Sequence, residues 1–328
     1  AAYRCAVETP PRQPGSDLIK IVAFIAAILL LGAATAPWLF LLGKSGASSF
    51  QEGGFLHRVM SESPFSRYFG RSMQLWALVL IWPLIKSLRM RRAEIGLLPN
   101  PHRFAHLGIG FAVAAGTLLL MGWGFVQAGW FTLRPDPEWG RAAQKAAGPA
   151  IGAGVIEELL FRGAIFALAL RSLRGAVAAQ LFVALFFAAV HFLTPPDGVE
   201  PVEGDVGWAT GFWMLGQIFK GFGDANFLLA EFTTLFAVGL TLGIARQRTA
   251  SLWLPIGLHA GWIFGLKSFA AVTKGSKALR AGDHLPWAGE NLKIGLIPLG
   301  IVALTGVAVA LVLKGRSDRD LPKSERTV

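Results

Sequence analysis

Two adjacent glutamates and an arginine lie within an apolar stretch, AIGAGVIEELLFRGAIFALAL, that is long enough to cross a bilayer. These residues are Glu157, Glu158 and Arg162. Charged side chains are costly inside lipid, so they usually mark a functional site where they occur. Two other apolar stretches carry one histidine each, His191 in FFAAVHF and His259 in LPIGLHAGWIF. Because carboxyl and imidazole groups accept and donate protons, this pattern predicts a hydrolytic centre within the membrane.

Helix geometry separates the roles of the two glutamates. In an α-helix, residues four apart differ by ~40° around the axis and residues five apart by ~140°. Glu158 and Arg162 therefore share a face, and we expect an ion pair that neutralises both charges. Glu157 points away from Arg162, so no cation on its own helix explains it. Its carboxyl group suits general acid or base chemistry, but protonation and a hydrogen bond between helices would also explain it.

The histidines and a further acid leave similar alternatives open. A single histidine in an apolar helix is more often a hydrogen-bonding group between helices than a ligand. Two of them on separate helices, together with Glu157, favour convergence on one site. His102 and His106 have the spacing of metal ligands, but solvation at the membrane surface explains them better because no third ligand is near in sequence. Glu231 is expected to line the cavity or to pair with Lys267.

The composition is typical of a membrane protein. Hydrophobic residues make up 53% of the 328 residues and charged residues 16%, against about 25% charged residues in soluble domains. The net charge of +11 fits basic residues that flank membrane helices and face anionic lipid. We therefore expect a lipid bilayer and no nucleic acid as partner. The single cysteine, Cys5, excludes a disulfide framework and argues against a thiol protease or a cysteine-ligated metal.

Apolar segments predict an all-α fold, a polytopic membrane protein of about eight transmembrane helices around a Glu/His cavity. The segments are Leu18–Leu42, Met73–Leu88, Phe104–Phe131, Ala146–Leu170, Ala176–Leu193, Phe227–Ala245, Leu252–Val272 and Ile294–Leu313. Between the fifth and the sixth, the aromatic string FWMLGQIF predicts an interfacial helix. We expect a single membrane domain over residues 18–314, with a polar tail at 1–17 and a basic tail at 315–328.

The distribution of Lys and Arg predicts the topology. If the N-terminus is placed in the cytoplasm, more basic residues lie on the side of the two termini than on the opposite side. The positive-inside rule therefore favours an N-in/C-in arrangement. We expect an integral protein of the bacterial inner membrane.

Three motifs in this order resemble those of the CPBP family of CAAX proteases and bacteriocin-processing enzymes, also called the Abi or Rce1-like family. EExxxR occurs as Glu157–Arg162, FxxxH as Phe187–His191, and the third motif begins at His259. The resemblance covers roughly residues 148–266, and eight membrane helices agree with the family fold. It implies an intramembrane, glutamate-dependent endopeptidase, CAAX prenyl protease 2-like, that cleaves a membrane-embedded or membrane-proximal peptide or protein by activated water.

The resemblance also implies roles for the motif residues. The implied catalytic residues are Glu157, His191 and His259. Glu157 would be the base that activates water, and the histidines would hold the water or a metal and polarise the scissile carbonyl. The implied supporting residues are Glu158, Arg162 and Phe187. The cofactor stays open, because Glu157 and the two histidines could bind a divalent metal such as Zn²⁺ or could position water without one.

One position departs from the family pattern. Four residues after His259 the family has an asparagine assigned to oxyanion stabilisation, and this chain has Ile263. An aliphatic side chain cannot donate a hydrogen bond, and loss of one such donor can lower the rate ~100–1,000-fold. We expect either a substitute donor, for which Asn226 and Gln217 are candidates, or low activity.

Two other classes of function stay open. A catalytically weak or inactive family member would act by binding, in bacteriocin immunity or in membrane-protein assembly. A proton-coupled transporter would also carry Glu and His in membrane helices. Transport predicts inverted repeats and broken helices, and the sequence contains no internal repeat. The lack of an HExxH motif argues against a zinc protease of the site-2 type.

Overall fold

The computed structural model describes residues 14–173, 175–193, 195, 198–220 and 225–317. Helices dominate this part of the chain. They are α1 (Pro14–Gly46), α2 (Phe55–Ser61), α3 (Phe65–Ser87), α4 (Arg103–Gln127), α5 (Trp139–Glu158), α6 (Phe166–Ser172), α7 (Ala176–His191), α8 (Thr210–Lys220), α9 (Ala225–Thr249), α10 (Trp253–Val272), α11 (Lys277–Ala281) and α12 (Leu296–Ser317). Two short strands, β1 (Phe131–Leu133) and β2 (Thr273–Gly275), pair antiparallel. The prediction of a mostly helical fold is confirmed.

Each of the eight predicted apolar segments overlaps a helix. Within the described residues, three helical stretches are long and apolar enough to cross a bilayer: Ile19–Ser49, Arg103–Gln127 and Leu296–Leu313. α7 is also apolar but shorter, at 16 residues. The count of eight spans therefore stays a prediction.

The segment with the two glutamates differs from the uninterrupted helix predicted over Ala146–Leu170. Its helix α5 begins earlier, at Trp139, and ends at Glu158. Residues Leu159–Ile165 then form a π-helical segment that contains Arg162, and α6 follows it. A π-helical insertion widens the turn and re-aims side chains, and such insertions occur often at functional sites.

The described chain divides into two compact units. Within the described residues, the first, called the site unit, comprises residues 90–189 and 226–317, and the second comprises residues 14–89, 190–220 and 225. The boundary falls within α7, between Ala189 and Val190. The predicted single membrane domain covers both units, and most of the two predicted tails lies outside the described residues.

Close packing of α10 on α4 fixes the orientation of α10 in the site unit. Gly257, Gly261 and Gly265 recur every four residues and so lie on one face of the helix. A Cβ atom at Gly261 would lie 2.5 Å from the carbonyl oxygen of Phe111, so the close approach of α4 requires glycine. Residues two apart lie on nearly opposite sides of a helix, so His259 projects away from α4.

The predicted interfacial segment, residues 212–219, lies within α8 of the second unit. Gly211 packs directly against the backbone of Ala33 in α1, where a side chain would clash. Met214 and Ile218 are buried in the same apolar cluster, whereas Trp213 is 41% exposed. α8 therefore packs one face on α1 and exposes aromatic side chains elsewhere, and its location at a membrane interface stays a prediction.

Candidate active site

Helices α5 and α10 of the site unit bring His259 and Glu158 into contact. Nδ1 of His259 lies 2.8 Å from Oε1 of Glu158, and the two residues are 5% and 0% exposed. The helices can approach this closely because residue 154 is glycine. A Cβ atom there would lie only 3.1 Å from the Cβ of Ala260. A carboxylate only accepts hydrogen bonds, so Nδ1 carries the proton when Glu158 is ionised. Nε2 is then the basic nitrogen of His259.

The same oxygen of Glu158 also accepts a hydrogen bond from Arg162. Nη1 of Arg162 lies 2.8 Å from Oε1, and both side chains are 0% exposed. Nη2 of Arg162 donates to the carbonyl oxygen of Gly239 in α9 at 3.2 Å. The predicted Glu158–Arg162 ion pair is therefore present. The contact of His259 with this pair could not be deduced from spacing along one helix.

Phe187 of α7 covers this cluster. Its ring centroid lies 5.7 Å from that of His259 at an interplanar angle of 74°, and the Cζ atom of Arg162 lies 4.3 Å from the Phe187 centroid. Edge-to-face and cation–π contacts of this kind are favourable, most of all away from water. Phe187 thus restricts the His259 ring and shields the ion pair, and its supporting role in catalysis stays a prediction.

Glu157 has a different environment from Glu158. Its side chain is 27% exposed, and its Oε2 lies 3.8 Å from Nε2 of His259, beyond hydrogen-bond distance. The two neighbouring carboxylates therefore lie near opposite nitrogens of one imidazole. The carboxylate of Glu158 orients the ring from a fully buried side chain, whereas the side chain of Glu157 is partly exposed although its Oε2 atom is buried.

His191 ends α7 and follows Phe187 by four residues. It therefore lies one turn further along the helix, on the same side as Phe187. It belongs to the second unit, so its approach to Glu157 and His259 stays a prediction.

The donors that the site unit brings together do not by themselves fit a metal centre. Among the residues that the structure describes, no group of three or more His, Cys, Asp or Glu could hold a metal ion. Nδ1 of His259 is occupied by Glu158, which leaves Nε2 and the Glu157 carboxylate.

The remaining titratable groups considered from the sequence have other partners or are exposed. The pairing of Glu231 with Lys267 was wrong, since its carboxylate pairs with the ammonium group of Lys293, and the alternative that Glu231 lines the cavity stays a prediction. Lys293 lies in the loop before α12, and no helical spacing relates it to Glu231. His102 is exposed, and Nδ1 of His106 lies 3.2 Å from the side-chain nitrogen of Asn100.

Ile263, at the position of the family asparagine, follows a residue with a hydrogen-bond donor. Ile263 is partly buried, and the preceding Trp262 is 6% exposed. The indole Nε1 of Trp262 is buried and has no hydrogen-bond partner among the described residues. This donor lies three residues after His259 and was not considered from the sequence. Of the two donors that were, Gln217 lies in the second unit and the side chain of Asn226 lies outside the described residues.

Comparison with known families agrees with the motif analysis. Residues 142–265 match the family model described as "Type II CAAX prenyl endopeptidase Rce1-like". The matched range includes every residue of the cluster around His259, and it confirms the family resemblance. No curated protein and no solved structure matches the chain.

Proposed function

We propose that this chain, whose residues 142–265 belong to the Rce1-like group of the CPBP family, is an intramembrane endopeptidase that uses Glu157 to activate water. The observation that carries the proposal is the placement of His259 between two unlike carboxylates, that of the fully buried Glu158 at Nδ1 and that of the partly exposed Glu157 near Nε2. The substrate is a peptide bond within the membrane or close to it.

The Glu157 carboxylate and Nε2 of His259 form the water-activating pair. These two acceptors are 3.8 Å apart, so one water molecule can donate a hydrogen bond to each. As the water oxygen bonds to the substrate carbonyl carbon, its proton passes to Glu157 and the carbonyl oxygen becomes an oxyanion. Glu157 then returns the proton to the amide nitrogen, the C–N bond breaks, and an acid and an amine leave.

The buried residues keep His259 in the form that this step needs. Because Nδ1–H is donated to Glu158, the ring presents its lone pair at Nε2. Arg162 balances the charge of Glu158, so the cluster can remain ionised away from water. In this proposal His191 is the second histidine, and it contacts the water or the substrate carbonyl.

The test is cleavage of fluorogenic membrane peptides by the protein purified in detergent, with wild type and Glu157→Gln compared. Loss of a general base lowers rates by about 100- to 10,000-fold, and we expect a loss in this range. Glu138→Gln is the matched control, since Glu138 precedes α5 and forms an exposed pair with Arg141. This variant should cleave within about twofold of wild type, as expected for a surface pair.

Two results would overturn the proposal. The first is equal cleavage by wild type and Glu157→Gln. The second is no cleavage by folded wild type across a broad peptide panel, which would favour the binding role that Ile263 suggests. A chelator titration of wild-type activity, with Zn²⁺ added back, decides the metal question in the same assay.

A further inference from the structure

We propose that the segment between α3 and α4 binds the phosphate groups of anionic phospholipids. This basic segment, residues 90–104, contains Arg91, Arg92 and Arg103, all exposed, and only one acid, Glu94. The inference does not depend on proteolysis, because the segment lies outside the cluster around His259 and its binding can be measured without a substrate.

The single acid of the basic segment is committed to other contacts. Oε1 of Glu94 accepts hydrogen bonds from Nε and Nη2 of Arg171 at 3.1 and 2.6 Å, and Oε2 accepts one from the backbone N–H of Arg91 at 2.6 Å. Its carbonyl oxygen accepts one from Nη2 of Arg246 at 2.9 Å. Among the described residues, the Arg91 and Arg92 side chains have no ion-pair partner. The segment therefore presents uncompensated positive charge.

The backbone of the segment is held in place although it is not helical. Gly96 adopts φ +76°, and a Cβ there would lie 2.6 Å from Nε of the buried Arg246. Its carbonyl oxygen accepts a hydrogen bond from the N–H of Leu252 at the start of α10. Ile95 is buried beside it. A surface that is formed in advance loses less conformational entropy when it binds a ligand.

Apolar side chains next to the arginines favour a lipid over a soluble anion. Leu97, Leu98 and Phe104 are 44%, 50% and 70% exposed. Basic groups combined with exposed apolar groups are typical of segments that lie among lipid headgroups, where arginine forms paired hydrogen bonds to phosphate. A free phosphate ion would use the arginines but would leave the leucines unexplained.

The position of the segment agrees with this assignment. Arg103–Gln127 is one of the candidate membrane spans, so its first residue lies where a membrane surface would be. The residues immediately before Arg103 then lie at the depth of the headgroups.

The experiment is native mass spectrometry of the purified full chain titrated with phosphatidylglycerol or with phosphatidylcholine. Each basic residue near an anionic surface contributes about fivefold to affinity, so Arg91→Gln/Arg92→Gln should weaken phosphatidylglycerol binding roughly 25-fold. Lys277→Gln/Arg280→Gln is the charge-matched control, since both side chains are exposed on α11, beyond the opposite end of α10. It should change phosphatidylglycerol affinity less than about twofold. Arg91→Lys/Arg92→Lys should keep most of the affinity.

Several results would overturn the inference. Equal losses in the two Gln double variants would mean a non-specific charge effect. Equal wild-type affinity for the two lipids would remove the role of the anionic group. Displacement of phosphatidylglycerol by equimolar inorganic phosphate would assign the arginines to a small anion. Wild-type binding of phosphatidylglycerol should weaken as salt rises from about 50 to about 500 mM, because salt screens exposed charges. Binding that does not change with salt would also overturn the inference.

Discussion

Glu158 and Glu94 each hold an arginine through one carboxylate oxygen, but the two clusters differ in what surrounds that pair. Glu158 and Arg162 are fully buried, and the oxygen that they share also binds His259. Glu94 and its partner Arg171 keep about 15% of their side chains exposed, at 15% and 14%. The first pair is sealed in the protein, and the second lies just below the surface.

The groups next to each pair have opposite charge. Beside Glu158 there is a second carboxylate, Glu157, which is 27% exposed. Beside Glu94 there are two exposed guanidinium groups, those of Arg91 and Arg92. The same structural device, a glutamate that immobilises a cation, therefore leaves a proton acceptor at one place and an anion-binding surface at the other. A second carboxylate suits water activation, and exposed arginines suit phosphate.

The largest effect on stability is expected from Glu158→Gln. This change leaves Arg162 as a buried charge with its ion-pair partner removed, and breaking such a pair costs about 3–5 kcal/mol of the free energy of unfolding. It also removes the ionised acceptor for Nδ1–H of His259, so activity should fall as well. Thermal unfolding in detergent and peptide cleavage measure the two effects.

The double variant Glu158→Gln/Arg162→Met separates charge from shape. Because it removes both charges, it should be more stable than Glu158→Gln alone. Equal instability of the single and double variants would show that the buried pair is not coupled, and the contrast with Glu94 would fail.

His191→Gln tests whether His191, which lies outside the site unit, takes part in catalysis. If His191 contacts the water or the substrate, kcat/KM should fall about 100-fold while the unfolding temperature stays close to that of wild type. His106→Gln, a matched change next to Asn100, should leave cleavage unaltered. Full activity of His191→Gln would restrict the catalytic group to Glu157 and His259.

The sequence predicted contacts within one helix better than contacts between helices. Spacing of four residues was sufficient for the Glu158–Arg162 pair, and apolar length was sufficient to locate the helices. The π-helical segment at Leu159–Ile165 was missed because hydrophobic patterning does not distinguish a widened turn from a regular one. The hydrogen bond from His259 to Glu158 depends on how two helices are rotated against each other, and that rotation is set by glycines such as Gly154.

Glu94→Gln should destabilise the chain less than Glu158→Gln does. Hydrogen bonds to charged groups contribute about 1.5–3 kcal/mol, and part of this is recovered because water can reach Arg171. Thermal unfolding measures the loss, with Glu138→Gln as the control for an exposed pair. A loss as large as that of Glu158→Gln would mean that burial does not distinguish the two clusters.

The smallest effect is expected at Glu231, which is paired with a cation that solvent reaches. Lys293 keeps 40% of its side chain exposed, so the loss on Glu231→Gln should be about 0.5–1 kcal/mol. Lys293→Gln should cost a similar amount, and Lys267→Gln should cost less, because the structure pairs Glu231 with Lys293. Thermal unfolding of the three variants ranks them. A larger loss for Lys267→Gln than for Lys293→Gln would contradict the observed pairing, and it would also mean that solvent access to the cation does not set the order from Glu158 through Glu94 to Glu231.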